Sequence, residues 1–257
     1  MTSMNQFGLS RNIPNNIKRE VRQKCGFGCV VCGSAIYQYH HFDPPFREAK
    51  EHNPNGITLL CGKCHDFFTK SIWSDNKLKH YNNNPKSLDR GFSFGLFDIG
   101  HTPPTIKFGP NTFINTSEII NIYGIPILEI DPSEVQSGPF RISGLFYNDI
   151  GEKIFQIEEN EWKGLINNWD IEQTGNSLII RRDQRKIALE IITNPQKELI
   201  VSKINMVFQD VKLQGNINND FIIEISSVKQ IITSGIIFKN ARCGICIEEN
   251  GIIFGKS

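Results

Sequence analysis

The sequence predicts a mixed α+β chain, a small metal-stapled head followed by an all-β body, and three observations carry that prediction. Two Cys-x-x-Cys pairs, Cys29-Val-Val-Cys32 and Cys61-Gly-Lys-Cys64, stand in the first third of the chain. Beyond Thr112, short Ile- and Phe-rich runs alternate with turn signals roughly every ten residues, the pattern of a sandwich or a small β-solenoid. Charge divides the same way. Residues 1–80 hold 11 of the 28 Lys and Arg but only 6 of the 27 Asp and Glu, a net of +5; the other 177 residues carry 17 and 21, a net of −4. The expected organisation is a head over residues 1–78, a linker over 79–111 and a β-rich accessory domain over 112–257.

The head opens with Pro14-Asn-Asn-Ile-Lys-Arg-Glu-Val-Arg-Gln-Lys, which reads as a short helix with proline near its start. Its basic side chains, Lys18, Arg19, Arg22 and Lys24, fall on several faces of two turns. Gly26 or Gly28 ends that helix at the first cysteine pair. Ile57–Leu60 reads as a short apolar strand entering the second pair, and His65–Lys70 as the opening of another helix. The Asn-, Pro-, Gly- and Ser-rich stretch from Lys79 to Pro110 shows no period; Tyr81–Ser87 reads as the linker and the segment from Phe92 onward as the approach to a second domain. In the body, the strand-like runs are Ile119–Tyr123, Ile125–Ile130, Phe140–Phe146, Lys153–Ile157, Ser177–Arg181, Ala188–Thr193, Leu199–Met206, Phe221–Ile225 and Ile231–Lys239.

Two residues between cysteines let both thiolates turn toward one ion. Four thiolates close a tetrahedral zinc site that supplies folding energy and keeps no open position for chemistry. Cys29, Cys32, Cys61 and Cys64 are therefore expected to bind structural zinc. The 28 residues between the pairs exceed the ~15–20 of an ordinary zinc ribbon, so a functional insertion lies there. Cys25 reads as a spare buried thiol, and Cys243-Gly-Ile-Cys246 as strand and turn. No run of about 18 apolar residues occurs, so no membrane span is expected. Met1–Ser10 lacks the apolar stretch of a signal peptide. The expected location is cytoplasmic, with cysteines as ligands or buried thiols before disulfides.

The inserted segment holds Tyr39-His40-His41-Phe42-Asp43-Pro44-Pro45-Phe46, and His65 directly follows Cys64. A zinc knuckle, a strand with two adjacent ligand-type residues, then Ile-Thr-Leu-Leu-Cys-x-x-Cys-His resembles the HNH (ββα-metal) endonuclease family over roughly Arg11 to Ser74. The resemblance implies a metal-dependent endonuclease that hydrolyses DNA phosphodiesters with one divalent ion, Mg²⁺ or Mn²⁺. His40 and His65 take the family's metal-ligand positions and His41 that of the general base; the expected products are 5′-phosphate and 3′-hydroxyl ends. Elementary chemistry agrees. Adjacent strand residues point to opposite faces, so His40 and His41 do not both face one ion. A neutral imidazole with a pKa near 6.5 suits deprotonation of water.

The sequence departs from the family at two places. Gly56 stands where the central Asn is usual; the adjoining Asn55 or the nearby Asn53 could tie the loop in its place, with Asn55 the favoured substitute. Thr69 stands one helical turn after His65, where some members have a further ligand, which leaves two protein ligands. Arg47, Lys63, Lys70, Lys18 and Arg22 are the expected phosphate contacts, and His52 is expected at the surface. In the body, Trp162, Trp169 and Phe155 are expected in a core, and Arg181, Arg182, Arg185 and Lys186 at a solvated hairpin end. Such a body could dock DNA, which its mild acidity disfavours, associate with itself, or sense or bind a partner and restrain the nuclease, for example an Argonaute-like protein in antiviral defence, by analogy of architecture. The alternative reading is a non-catalytic zinc-ribbon module that binds nucleic acid or regulates.

Overall fold

The computed structural model describes residues 4–226 and 229–257. The chain is mixed α+β and mostly β. It forms two compact units, Met1–Gly95 with Leu165–Glu172, and Leu96–Gly164 with Gln173–Ser257.

In the first unit α1 spans Asn15–Lys24, with Pro14 at its N-cap and Arg22 and Lys24 in the last turn. The strands β1 (Gln38–His41) and β2 (Ile57–Leu60) pair antiparallel, with His40 opposite Thr58 and His41 opposite Ile57. Helix α2 (Gly62–Thr69) follows β2 directly, with Cys61 as its N-cap. Then come α3 (Asp75–Asn83), α4 (Lys86–Arg90) and β3 (Phe92–Leu96). Val21, Cys25, Val30, Ile57, Leu59 and Leu60 are fully buried and form the core that seats the hairpin. The Lys24 ammonium ties α1 to the loop before β2 by donating to the carbonyls of Pro54 and Ile57.

The segment 79–111 is not the expected linker. It carries the second half of α3, all of α4, β3, and the strand β4 (Thr105–Phe108). Local composition misleads because α3 is held by one buried residue, Leu78, and by the Ser74 hydroxyl accepting from the Lys77 N–H. Those supports leave no apolar period to detect.

The second unit continues with β5 (Asn111–Ile114), β6 (Glu118–Ile122), β7 (Ile125–Asp131), β8 (Arg141–Tyr147), β9 (Lys153–Glu158) and β10 (Glu161–Leu165). After β11 (Asp170–Thr174) come β12 (Ser177–Asp183), β13 (Lys186–Asn194), β14 (Glu198–Phe208), β15 (Val211–Asn216) and β16 (Phe221–Ile225). The chain ends with β17 (Lys229–Thr233), β18 (Ile237–Lys239), β19 (Cys243–Glu248) and β20 (Gly251–Lys256). One sheet runs β20-β19-β6-β7-β8-β9-β10, antiparallel except for the parallel β19–β6 pair. Another runs β12-β13-β14-β15-β16-β17, antiparallel throughout, and β4 joins β14 in parallel. Sequential antiparallel neighbours are hairpin connections, unlike the stacked parallel coils of a solenoid. Alternation along β8 buries Ile142, Gly144 and Phe146, and Phe155 and Trp162 lie in the same core.

Three expectations for the body are corrected. The run Ile231–Lys239 is divided between β17 and β18, because Gly235 takes a left-handed φ of 71° between them. Trp169 belongs to the first unit and lies under the Arg19 guanidinium, 4.4 Å from ring centre to charge. Cys243 and Cys246, expected as strand and turn, both lie on β19 and are joined by a disulfide. Among the described residues no helix is long and apolar enough to cross a membrane.

Candidate metal centre and adjoining cleft

The four cysteines of the two pairs converge. Their sulfur atoms all lie within 4.8 Å of one another, with Cys29 and Cys64 buried and Cys32 and Cys61 half-buried. The Cys32 and Cys61 sulfurs are 3.7 Å apart. A tetrahedron with metal–sulfur bonds near 2.3 Å has edges of about 3.8 Å, so the donor set and its size fit zinc. Thiols packed this closely resist ionisation without a cation. Burial, and then the neighbouring Cys61, push the Cys64 thiol up to about 12. A bound cation reverses that balance by holding the thiolates.

The backbone builds the two knuckles. The Cys29 N–H donates to the Ser34 carbonyl and the Gly33 N–H to the Cys29 carbonyl, closing the first turn, with Gly33 at a left-handed φ of 86°. The Val30 N–H donates to the Leu59 carbonyl, which ties this turn to β2. A Cβ at Gly28 would collide with the Gly33 carbonyl, so glycine is required there. Cys25, fully buried, has its sulfur 3.8 Å from the Thr58 hydroxyl, and burial raises its thiol pKa. It is a packed thiol outside the cluster.

Beside the cluster lies an open cleft of about 620 Å³, with His40, His41 and His65 in its wall together with Arg11, Lys18 and Arg47. The hairpin supplies His40 and His41, and the first turn of α2 supplies His65, whose N–H donates to the Cys61 carbonyl. The His40 and His65 rings meet edge to face with centres 4.9 Å apart. Burial and then the neighbouring His65 hold the His40 imidazole down to about 4, so at neutral pH its lone pair is free for a cation. Burial, then His52, His40 and Arg11, lower the His41 imidazole to about 4. Phe46 packs on His41 with ring centres 5.3 Å apart, and Arg11 stacks over Phe46 at 4.6 Å.

The expected site residues separate into two groups. His40, His41, His65, Lys18 and Arg47 share the cleft. Lys63 is exposed on α2, and Lys70, the C-cap of that helix, pairs with Asp66 at 2.7 Å; neither lines the cleft. Arg22 is not a phosphate contact. It is 3% exposed and bound in bidentate fashion to Asp170, at 2.8 and 2.7 Å, and it also donates to Tyr39 Oη and Glu172. Burial disfavours its charge, but the hydrogen bonds to Asp170 and the nearby Tyr39 and Asp170 outweigh that and raise its pKa.

Asn55 is exposed, and its backbone N–H donates to the Asn53 side chain, which caps the 3₁₀ turn Pro54–Gly56. Gly56 itself ties the loop, its carbonyl accepting from the N–H groups of Phe42 and Asp43. A Cβ at Gly56 would overlap the Asp43 carbonyl, so close backbone approach requires glycine there.

Three participants escaped sequence reading. His52, expected at the surface, is half-buried, with Nδ1 3.0 Å from His41 Nε2. Its place in the loop between β1 and β2 matches no spacing rule. Arg11 escaped because it precedes the first element. Asp170 escaped because it lies 148 residues from Arg22. No family model matches the chain, and no curated protein or solved structure does either.

Proposed function

We propose that the first unit is a metal-dependent HNH-type endonuclease that hydrolyses DNA phosphodiester bonds beside a structural zinc. The observation that carries the proposal is the gathering of His40, His41 and His65 in one cleft rimmed by Arg11, Lys18 and Arg47, next to a four-cysteine cluster. Four thiolates saturate a zinc ion, so the cluster holds the frame and the chemistry falls to the cleft. The succession of β1, β2 and α2, with a cysteine pair before the hairpin and another between β2 and α2, supports a ββα-metal reading.

In this reading His41 accepts the proton of the attacking water. Being neutral at pH 7, it is in the form a base requires. His40 and His65 would hold one divalent cation through their imidazoles, with water and phosphate oxygens completing its shell. Bound there, Mg²⁺ or Mn²⁺ supplies charge stabilisation at the phosphate and the leaving oxygen. Lys18, Arg11 and Arg47 neutralise neighbouring phosphates and position the strand without reading its sequence. The net acidity of the β-rich body argues against a second DNA surface there and for a role in partner binding or self-association.

The test is plasmid cleavage by the zinc-loaded protein with Mg²⁺ or Mn²⁺, alongside His41→Ala. Metal-dependent nicking or linearisation that falls at least a hundredfold in His41→Ala is the expected result, given the ~10²–10⁴-fold worth of a positioned base. Undiminished cutting by His41→Ala removes it as the base. No cutting by either protein favours a non-catalytic zinc module.

A further inference from the structure

We propose that His52 is a positioning residue for His41, accepting a hydrogen bond from His41 Nε2–H and so leaving His41 Nδ1 as the atom that takes the proton from water. The inference rests on the nuclease reading for its consequence, but the hydrogen bond stands on geometry. His41 Nε2 and His52 Nδ1 are 3.0 Å apart, and the two ring centres are 5.2 Å apart at an interplanar angle of 49°.

A neutral imidazole has one donor and one acceptor nitrogen, and the partner of one fixes the role of the other. Two arrangements satisfy the contact. If His52 Nδ1–H donated, His41 Nε2 would be occupied as an acceptor and its proton would sit on Nδ1, so neither nitrogen could receive another proton. If His41 Nε2–H donates, Nδ1 keeps a free lone pair. His52 Nε2 is buried without a protein partner among the described residues in both arrangements, so its burial does not choose between them.

The nuclease reading makes the choice. A base needs a free lone pair, and with Nε2 held by His52 only Nδ1 of His41, a residue of the cleft wall, can offer one to water. The ring is then held at both ends, by His52 at Nε2 and by Phe46 against its face or edge. A loop residue from Glu51-His52-Asn53 thereby sets the tautomer of a strand residue eleven positions earlier.

Two variants separate positioning from folding. The side-chain oxygen of an asparagine at this position would fall near the place of the imidazole Nδ1, so His52→Asn retains an acceptor, whereas His52→Leu retains bulk without one. With plasmid and the activating metal, His52→Leu is expected to lose tenfold to a hundredfold in kcat with little change in KM, a part of what a general base contributes. His52→Asn should recover most of that loss, with the zinc content and melting temperature of both variants near the parent. Long-range ¹⁵N–¹H spectra of the histidine-labelled, zinc-loaded parent should show His41 as the Nε2–H tautomer, and His52→Leu should lose that uniform state. A His41 Nδ1–H tautomer, or full activity in His52→Leu, overturns the proposal, as does equal loss in both variants. A parent that shows the Nε2–H tautomer yet cuts no DNA supports the hydrogen bond and refutes the nuclease reading instead.

Discussion

The Arg22–Asp170 pair allows a prediction with a worked magnitude. Asp170 is fully buried and Arg22 is 3% exposed, so both charges have left water. At a separation of about 4 Å and an effective dielectric near 20, their attraction is about 4 kcal/mol. Replacing Asp170 with Ala removes that attraction together with two charge-assisted hydrogen bonds, while Tyr39 Oη and the partly exposed Glu172 remain to Arg22. Breaking a buried pair from one side typically costs about 3–5 kcal/mol, because the orphaned guanidinium stays buried. With a slope of about 2 kcal/mol per molar urea, the midpoint for the first unit should fall by roughly 2 M in Asp170→Ala. Urea titration followed by Trp169 and Trp73 emission reads that unit. The double variant Arg22→Met with Asp170→Leu should recover most of the loss, since apolar replacement of an ion pair is often neutral or stabilising. A cost under about 1 kcal/mol for Asp170→Ala, or a double variant no better than the single, would refute a buried, mutually dependent pair.

Two further predictions rest on the metal cluster and the hairpin loop. Cys64→Ser, or removal of the metal with a strong chelator, should leave less than the expected ~1 zinc per chain and unfold the first unit, since structural zinc sites carry apparent binding energies of about 10–16 kcal/mol; near-ultraviolet circular dichroism checks it, and a retained tertiary signal would count against a structural site. Gly56→Ala should destabilise the unit by about 1–3 kcal/mol and shift the loop carrying Asp43, because its Cβ would overlap that carbonyl; an unchanged melting temperature would mean that the backbone approach is looser than it is here.

What the sequence revealed and what it hid divide along the range of the interactions. The two knuckles were legible because two-residue spacing and flanking glycines are local causes, and so were α1, β2 and the start of α2. Body strands such as β8 and β13 were legible through alternation and Ile content. β19 was read only in part, as strand and turn, because five consecutive buried residues from Cys243 to Ile247 carry no alternation. β15 was not among the strand-like runs, because Lys212, Gln214 and Asn216 interrupt its buried Val211 and Leu213. The helix α4 is five residues long, too short to show a period. That His40, His41 and His65 share one cleft could be expected from motif order. The fate of Arg22 and the contact of His52 depend on residues brought together by the fold, and neither charge nor spacing encodes that.

The four-cysteine cluster and the cleft share their supports, and this constrains how the nuclease reading can be tested. β2 pairs with the strand bearing His40 and His41 and runs straight into Cys61, while the His65 N–H donates to the Cys61 carbonyl. The Val30 N–H, within the first knuckle, is bonded to Leu59 on the same strand. If the cluster holds zinc, its loss should therefore displace all three histidines at once. A chelator that abolishes cutting would not by itself reveal a second, catalytic cation. The informative comparison keeps zinc bound and varies Mg²⁺ or Mn²⁺ alone, with zinc measured at each point. His40→Ala should then raise the concentration of cation needed for half-maximal cutting while leaving zinc content and the folded signal unchanged. If it lowered zinc content in proportion to activity, His40 would belong to the frame and the cleft would have lost its proposed metal ligand.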